Sequence, residues 1–283
     1  MSDEARIADT RNTWEAAAPG WAKWEQIFSR GLEPATDVLL DMAGVGTGAR
    51  VLDIASGAGH QTLQAARRVG PSGTVVASDI SAIMLDNVRR NALAAGLSNI
   101  TTVESAAENL STAEEPYDAS ICRLGLMLFP APSEAVRAVR RVLKPGSRFA
   151  ALVFTTPANN PFMAQPMSIL LRHAGKKPPG PGHAGIFALG GDGVLEQLLA
   201  EGGLRSVHTK TIRAPLSLDR AEDALEMIQQ AFGAYRAVVA ELEDDEQAAA
   251  WSEVLESLKQ FEGNDGFETE FEFIIGSGSS EQS

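Results

Sequence analysis

Residues Val51-Leu52-Asp53-Ile54-Ala55-Ser56-Gly57-Ala58-Gly59-His60 form a short apolar run that empties into two glycines one residue apart. A strand, a glycine turn and then a helical pattern over residues 61–69 make the opening of a βαβ unit. Outward from it the rhythm repeats. Apolar, β-branched runs at 74–78, 100–104, 119–123 and 148–154 alternate with periodic stretches at 82–95 and 133–143. Strands alternating with helices of this length predict an α/β domain, its sheet mostly parallel and covered by helices on both faces.

The boundaries carry matching signals. Ser81 caps the helix from Ala82 and Gly96 ends it, while Ser133 precedes a helix stopped by Lys144-Pro145-Gly146. Before this core, Trp14, Trp21 and Trp24 mark helices broken at Pro19-Gly20. After it, residues 155–192 are rich in proline and glycine and read as a long loop with a short helix near 163–172. Asp192 then caps a helix over 194–201, 205–215 is a strand, 219–241 and 246–261 are amphipathic helices, and 267–275 is a last strand. The expected organisation is a helical cap over 1–45, a ligand-binding domain over 46–275 with insertions at 155–192 and 219–262, and a disordered Gly/Ser tail over 276–283.

Composition narrows the partner. The chain has 283 residues, 24 Lys+Arg against 37 Asp+Glu and a net charge of −13, which argues against nucleic acid and anionic membrane surfaces. No apolar run is long enough to span a bilayer, and the first residues show no secretory signal. Cys122 alone makes neither a disulfide scaffold nor a zinc cluster, and His60, His173, His183 and His208 lack metal-ligand spacing, so no metal is expected. These features point to a soluble, cytoplasmic protein with a small-molecule partner.

The glycine turn and an acidic residue define the ligand. Asp79 closes the second strand twenty residues beyond Gly59, where a carboxylate can accept both hydroxyls of a ribose. A dinucleotide turn would carry a third glycine, but here Thr62 stands in its place, and no phosphate-loop pattern is present. Asp53 would repel a pyrophosphate yet can pair with an ammonium group. S-adenosylmethionine has that ammonium and no phosphate.

With these residues in place, the sequence resembles the class I S-adenosylmethionine-dependent methyltransferases, in their ubiquinone/menaquinone-biosynthesis type. The resemblance is carried by Val51–Gly59, by Val76-Ala77-Ser78-Asp79-Ile80, by residues 117–130 and by Arg140-Arg141-Val142-Leu143-Lys144-Pro145-Gly146. It implies a Rossmann-like, seven-stranded, mostly parallel sheet with an N-terminal helical lid and a late helical insertion. The cofactor it implies is S-adenosyl-L-methionine, leaving as S-adenosyl-L-homocysteine.

By the same resemblance, Ala55, Gly57 and Gly59 would line the methionine portion, with Asp53 toward its amino group. Asp79 would hold the ribose, and Ile80 and Met84 would flank the adenine. The stretch Ala106-Ala107-Glu108 would meet the adenine edge, with Ala106 where the family usually has Asp. Cys122, Arg123 and Leu124 would lie beneath the cofactor, and Trp21 and Trp24 would belong to the lid. His173 and His183 flank the Pro/Gly loop and are the candidate general bases, since imidazole titrates near neutrality; His60 could instead touch the cofactor, and His208 reads as surface.

The expected reaction is in-line methyl transfer to oxygen, nitrogen or carbon of a small acceptor, quinone-like, aromatic or a natural-product metabolite. Two alternatives stay open: a nicotinamide-dependent oxidoreductase, and a protein that binds the nucleoside without turnover. The apolar faces at 219–261 suit a lid or a homodimer contact.

Overall fold

The computed structural model describes residues 3–111, 115–178 and 183–280, the side chains of 3–9 and 25 excepted. Its central strand is β1 (Arg50–Ile54), in which Val51, Leu52, Asp53 and Ile54 are all buried. Burial without alternation is what a strand shows when helices cover both faces. The chain continues through α3 (His60–Val69), β2 (Thr74–Asp79), α4 (Ala82–Ala94) and β3 (Ile100–Glu104). Before β1 lie α1 (Asp3–Lys23) and α2 (Glu25–Ala43). The second half of the sheet is β4 (Tyr117–Arg123), α5 (Pro132–Val142) and β5 (Leu143–Phe154).

Strand order is β3-β2-β1-β4-β5, all parallel. The order runs outward in one direction from β1 to β3 and then reverses to β4. Right-handed crossovers therefore place α3 and α4 on one face and α5 on the other. The reversal leaves a crevice between the carboxyl ends of β1 and β4, the usual ligand position in such sheets. Two antiparallel strands complete the path: β8 (Gly266–Ser279) pairs with β5, and β6 (Arg205–Leu218) pairs with β8. A two-residue strand, β7 (Glu262–Gly263), folds back on β8, so the sheet has eight strands rather than the expected seven.

Around this sheet, α7 (Val194–Glu201) packs on β6 and β8. The helices α6 (Pro161–His173), α8 (Ala221–Ala231), α9 (Gly233–Val239) and α10 (Asp244–Leu258) pack on one another and hold α1. That places the expected late insertion against the N-terminal helix, in three helices rather than two.

Several local expectations are corrected. α1 runs unbroken through Pro19 and Gly20, and the interruption falls at Trp24. Gly20 serves a close approach instead: a Cβ there would stand 2.1 Å from the Gln230 carbonyl oxygen on α8. α7 takes no cap from Asp192, since Gly193, with φ +73°, is its N-cap and no side chain bonds there. Ser81 does cap α4, its hydroxyl accepting from the Met84 N–H at 3.3 Å.

The largest correction concerns the tail. Gly276, Ser277, Gly278 and Ser279 are the end of β8, in register with both β5 and the start of β6. Ser277 is fully buried and its hydroxyl donates to the Met42 carbonyl at 2.9 Å. The glycines are there because α7 and β6 leave no room: a Cβ on Gly276 would meet Leu195 and Leu199 at 2.8 Å, and one on Gly278 would meet Leu204 at 2.9 Å. The expected boundary after 275 is therefore not a boundary of the fold. Of the proline-glycine run in the long loop, residues 179–182 lie outside the described residues, as do 281–283 of the tail. Removing residues 276–283 should lower the thermal midpoint by at least about 5 °C, because several ladder bonds and buried contacts go together; circular dichroism melting reads it, and an unchanged midpoint contradicts the pairing.

Candidate functional site

The turn after β1 coils through left-handed backbone. Ala55 has φ +53°, Gly57 +55° and Gly59 +93°. For alanine this conformation is strained by about 1–2 kcal/mol, and its methyl is accommodated from the facing loop. A Cβ at residue 125 would lie 2.6 Å from the Ala55 Cβ, so only glycine fits there. At Gly57 a Cβ would meet nothing within 4 Å, which leaves bare backbone beside open space. Gly59 has a different task. It starts α3, and a Cβ on it would press on Val88 of α4 at 3.0 Å, so it serves helix packing.

Beside this turn lies a cleft, open to solvent, at the β1/β4 reversal. Its polar floor is Asp79. One carboxylate oxygen accepts the Gly57 N–H at 2.9 Å and the other accepts the Ser81 N–H at 2.9 Å. Burial pushes its pKa up, against the pull of those N–H groups. Beyond Asp79 the walls are Ile80, Met84, Ser105, Ala106, Ala107 and Glu108, an apolar slot with one carboxylate at its rim. Glu108 also accepts the Ala131 N–H at 3.3 Å, which ties this turn to the start of α5. On the other side of Asp79 lie Ser56, Gln61, Arg123 and Leu124, and above them Thr10, Trp14, Trp21, Leu128, Phe129 and Pro130 close the cleft.

α1 supplies the roof. Trp14 and Trp21 have ring centroids 6.4 Å apart, and Trp21 rests on Phe28 at 4.5 Å and edge-on against Phe232 of the late helices at 5.8 Å. Arg11 pins the same helix, donating through Nε to the Ile80 carbonyl at 3.0 Å and approaching Glu104 at 3.5 Å.

Most of the expected residues converge here. Trp21, Ala55, Gly57, Asp79, Ile80, Met84, Ala106, Ala107, Glu108, Arg123 and Leu124 line the cleft. Six do not. Asp53 is wholly buried behind the wall, where it accepts from the Thr62 hydroxyl and the Gln61 amide. Gly59 faces α4, as described. Cys122 points into the core, and burial lifts its thiol to about 12, which makes it an inert apolar residue. Trp24 lies on α8, donating to Gln230 at 2.9 Å. His173, the last residue of α6, meets Glu253 of α10 at 2.8 Å and joins two helices. His183 is exposed and absent from the wall. His60 is the histidine that the wall contains.

The roof was legible in principle. Thr10, Trp14 and Trp21 differ by four and seven positions and share one helix face, whereas Trp24 falls beyond the helix end. Ser56 lies inside the motif Val51–Gly59, and Leu128, Phe129 and Pro130 close the motif at 117–130. Ser105 and Gln61 have no sequence signal of their own.

A model of the ubiE/COQ5 methyltransferase family matches residues 32–173, half of the chain. The chain belongs to that family. The matched span includes β1 through β5 and therefore the whole strand-borne floor of the cleft. Among similar proteins, the ubiquinone/menaquinone biosynthesis C-methyltransferase UbiE of Pseudomonas aeruginosa is 42% identical over 122 residues, 43% of this chain and 48% of that protein. The match thus spans about half the length of these curated relatives. Among solved structures, the YcgJ protein of Bacillus subtilis superposes with a TM-score of 0.58 at 18% identity, over 89% of this chain and all of that one. Phosphoethanolamine N-methyltransferase 2 of Haemonchus contortus, solved with phosphomonomethylethanolamine and S-adenosylhomocysteine, gives 0.57 at 16% identity, over 94% of this chain and 58% of that one. These two share the fold.

Burial raises the Asp53 pKa from 3.8 to about 7, outweighing its hydrogen bonds to Thr62 and Gln61 and the Arg123 charge. The folded state therefore holds this proton more tightly than the unfolded chain does. The stability gained is full below the unfolded value and is lost as pH rises through about 7. Urea unfolding of the ligand-free protein should show stability falling over that window, and Asp53→Asn should flatten the fall; an equal slope in both proteins contradicts the assignment.

Proposed function

We propose that the protein is an S-adenosylmethionine-dependent methyltransferase acting on a small-molecule acceptor. The observation that carries this reading is the Asp79–Gly57 pair at the β1/β4 crevice in a chain of the ubiE/COQ5 family. Each Asp79 oxygen keeps a lone pair beside its backbone donor, so the carboxylate can accept two ribose hydroxyls. The apolar slot of Ile80, Met84, Ala106 and Ala107 suits an adenine ring. Buried Ser56, whose hydroxyl has no partner among the described residues, adds a polar group for a ligand to satisfy. A dinucleotide turn would carry a third glycine where this chain has Thr62, which speaks against nicotinamide dinucleotides.

When bound, the cofactor supplies a sulfonium methyl that is already electrophilic. The protein then has to orient and enclose. Trp14, Trp21, Leu128 and Phe129 form an apolar enclosure above the turn, which favours a flat, conjugated or aromatic acceptor and excludes water. Holding acceptor and methyl in line supplies an effective concentration of about 10⁵–10⁸ M. His173 and His183 lie outside the cleft wall, which speaks against either as the general base. The reading extends to a soluble, cytoplasmic enzyme: the described residues form no helix long and apolar enough to cross a membrane, and Cys122 is unpaired. The packing of α8 and α9 on α1 favours a lid role for the late helices over a homodimer contact.

Calorimetric titration tests the cofactor. S-adenosylmethionine and S-adenosylhomocysteine should bind, and Asp79→Ala should weaken both at least tenfold, about 1.4 kcal/mol. Binding of nicotinamide dinucleotides alone would overturn the reading. A second test reads the roof. Trp21 fluorescence should change on adding S-adenosylhomocysteine, and Trp21→Leu should abolish most of that change while leaving thermal stability within about 2 kcal/mol of the parent, given its partial exposure.

A further inference from the structure

The two ends of the sheet are built differently. β6 carries Lys210, Arg213 and Pro215 and is bulged between Arg205 and His208, devices that keep a sheet edge from pairing. β3, at the other end, reads Ile100-Thr101-Thr102-Val103-Glu104, β-branched through its first four residues and without proline or bulge. Among the described residues no strand pairs with its outer side. Its backbone groups alternate in direction. The Val75 N–H donates to the Asn99 carbonyl and the Ser105 N–H to the Asp79 carbonyl, both at 2.9 Å. In a parallel ladder alternate residues spend their N–H and C=O on the neighbour, so those of Ile100, Thr102 and Glu104 point outward from β2.

α4 packs over β2 and β3 and continues this face. Its Val88 and Asn91 turn inward: a Cβ on Gly59 would press on Val88, and the Asn91 amide donates to the Ala58 carbonyl at 3.0 Å. On the opposite side Ile83, Asp86, Arg90 and Leu93 are exposed, at spacings of three, four and three. They fall within about 80° of the helix surface. Of the four exposed large apolar side chains among the described residues, three belong to α4 and β3: Leu93 at 82%, Val103 at 46% and Ile83 at 45%. The stripe along α4 is a palindrome, apolar, acidic, basic, apolar. Within one chain Asp86 takes Arg89, whereas Arg90 reaches only the neutral Asn87.

We propose that β3 and α4 form the face on which a second copy of this chain docks, the two β3 strands pairing antiparallel about a two-fold axis at Thr102. Each outward backbone group then meets a partner, Thr102 pairing with its symmetry mate and Ile100 with Glu104 of the other copy. One strand spacing across the axis sets the two α4 axes about 10 Å apart, a normal helix-packing distance. The two helices run antiparallel there, so Ile83 meets Leu93 and Asp86 meets Arg90, each contact made twice. Charge permits the approach. The chain carries a net charge of −13, yet on this face Asp86 and Glu104 are balanced by Arg89 and Arg90. The docking is independent of what fills the cleft, and the two clefts open on opposite sides of the joined sheet.

Analytical ultracentrifugation of the full chain at micromolar concentrations tests this, and the parent should sediment at twice the chain mass. Thr102→Pro spares the β2 ladder, because the Thr102 N–H is not part of it, and should weaken the dimer by about tenfold or more. Asp86→Lys and Arg90→Glu should each weaken it by about threefold or more, since like charges then meet twice across the axis. An equimolar mixture of those two variants should recover the dimer, because every contact between the unlike copies then joins opposite charges. The proposal is overturned by a parent that stays monomeric, by a dimer that Thr102→Pro leaves intact, or by a mixture that associates no better than either variant. Should circular dichroism show that Thr102→Pro fails to fold, the mixing experiment decides alone.

Discussion

Asp79 holds the two halves of the site together. Its carboxylate takes the Gly57 N–H from the turn after β1 and the Ser81 N–H from the start of α4. One side chain thus fixes the strained turn, the first turn of a helix and the end of its own strand. The left-handed backbone at Ala55 and Gly57 persists because something outside it holds it, and this carboxylate is part of what does. Burial raises the proton affinity of Asp79, and the two N–H groups counter that by stabilising the anion.

Behind that floor sits a second layer of charge. Asp53 and Arg123 end adjacent strands, on the side of the sheet where α2 and α3 pack. Neither has a full counter-ion. Asp53 is held by neutral donors on α3, and Arg123 by a neutral acceptor on α2. Their charges act on one another across the two strands, each favouring the other's charged form. The glycine at 125, set against the Ala55 methyl, keeps the β4 loop close enough for that geometry.

Above the floor, function depends on elements that carry no motif. α1 bridges from α4 to the late helices, with Gly20 allowing backbone contact on α8 and Arg11 clasping Ile80. The aromatic column Trp14, Trp21, Phe28 and Phe232 links the roof to both. Residues distant in sequence by two hundred positions thereby share one wall.

The sequence by itself determined the alternation of strands and helices, the glycine turn and the acidic residue at the end of β2. Those features are local: period, caps and turn residues act within a few positions of one another. Tertiary structure decided what local patterns cannot express. Gly276-Ser277-Gly278-Ser279 has the composition of a linker, yet it is a strand, because α7 and β6 press so closely that only small residues fit between β5 and β6. Trp24 lies away from the cleft because α1 ends at Lys23 and α8 supplies Gln230, and His173 lies away from it because α10 supplies Glu253. Asp53 stands behind the wall rather than in it, since α3 brings Thr62 and Gln61 over its oxygens. In each case a neighbour distant in sequence set the outcome, through packing or a hydrogen bond that no window of residues contains.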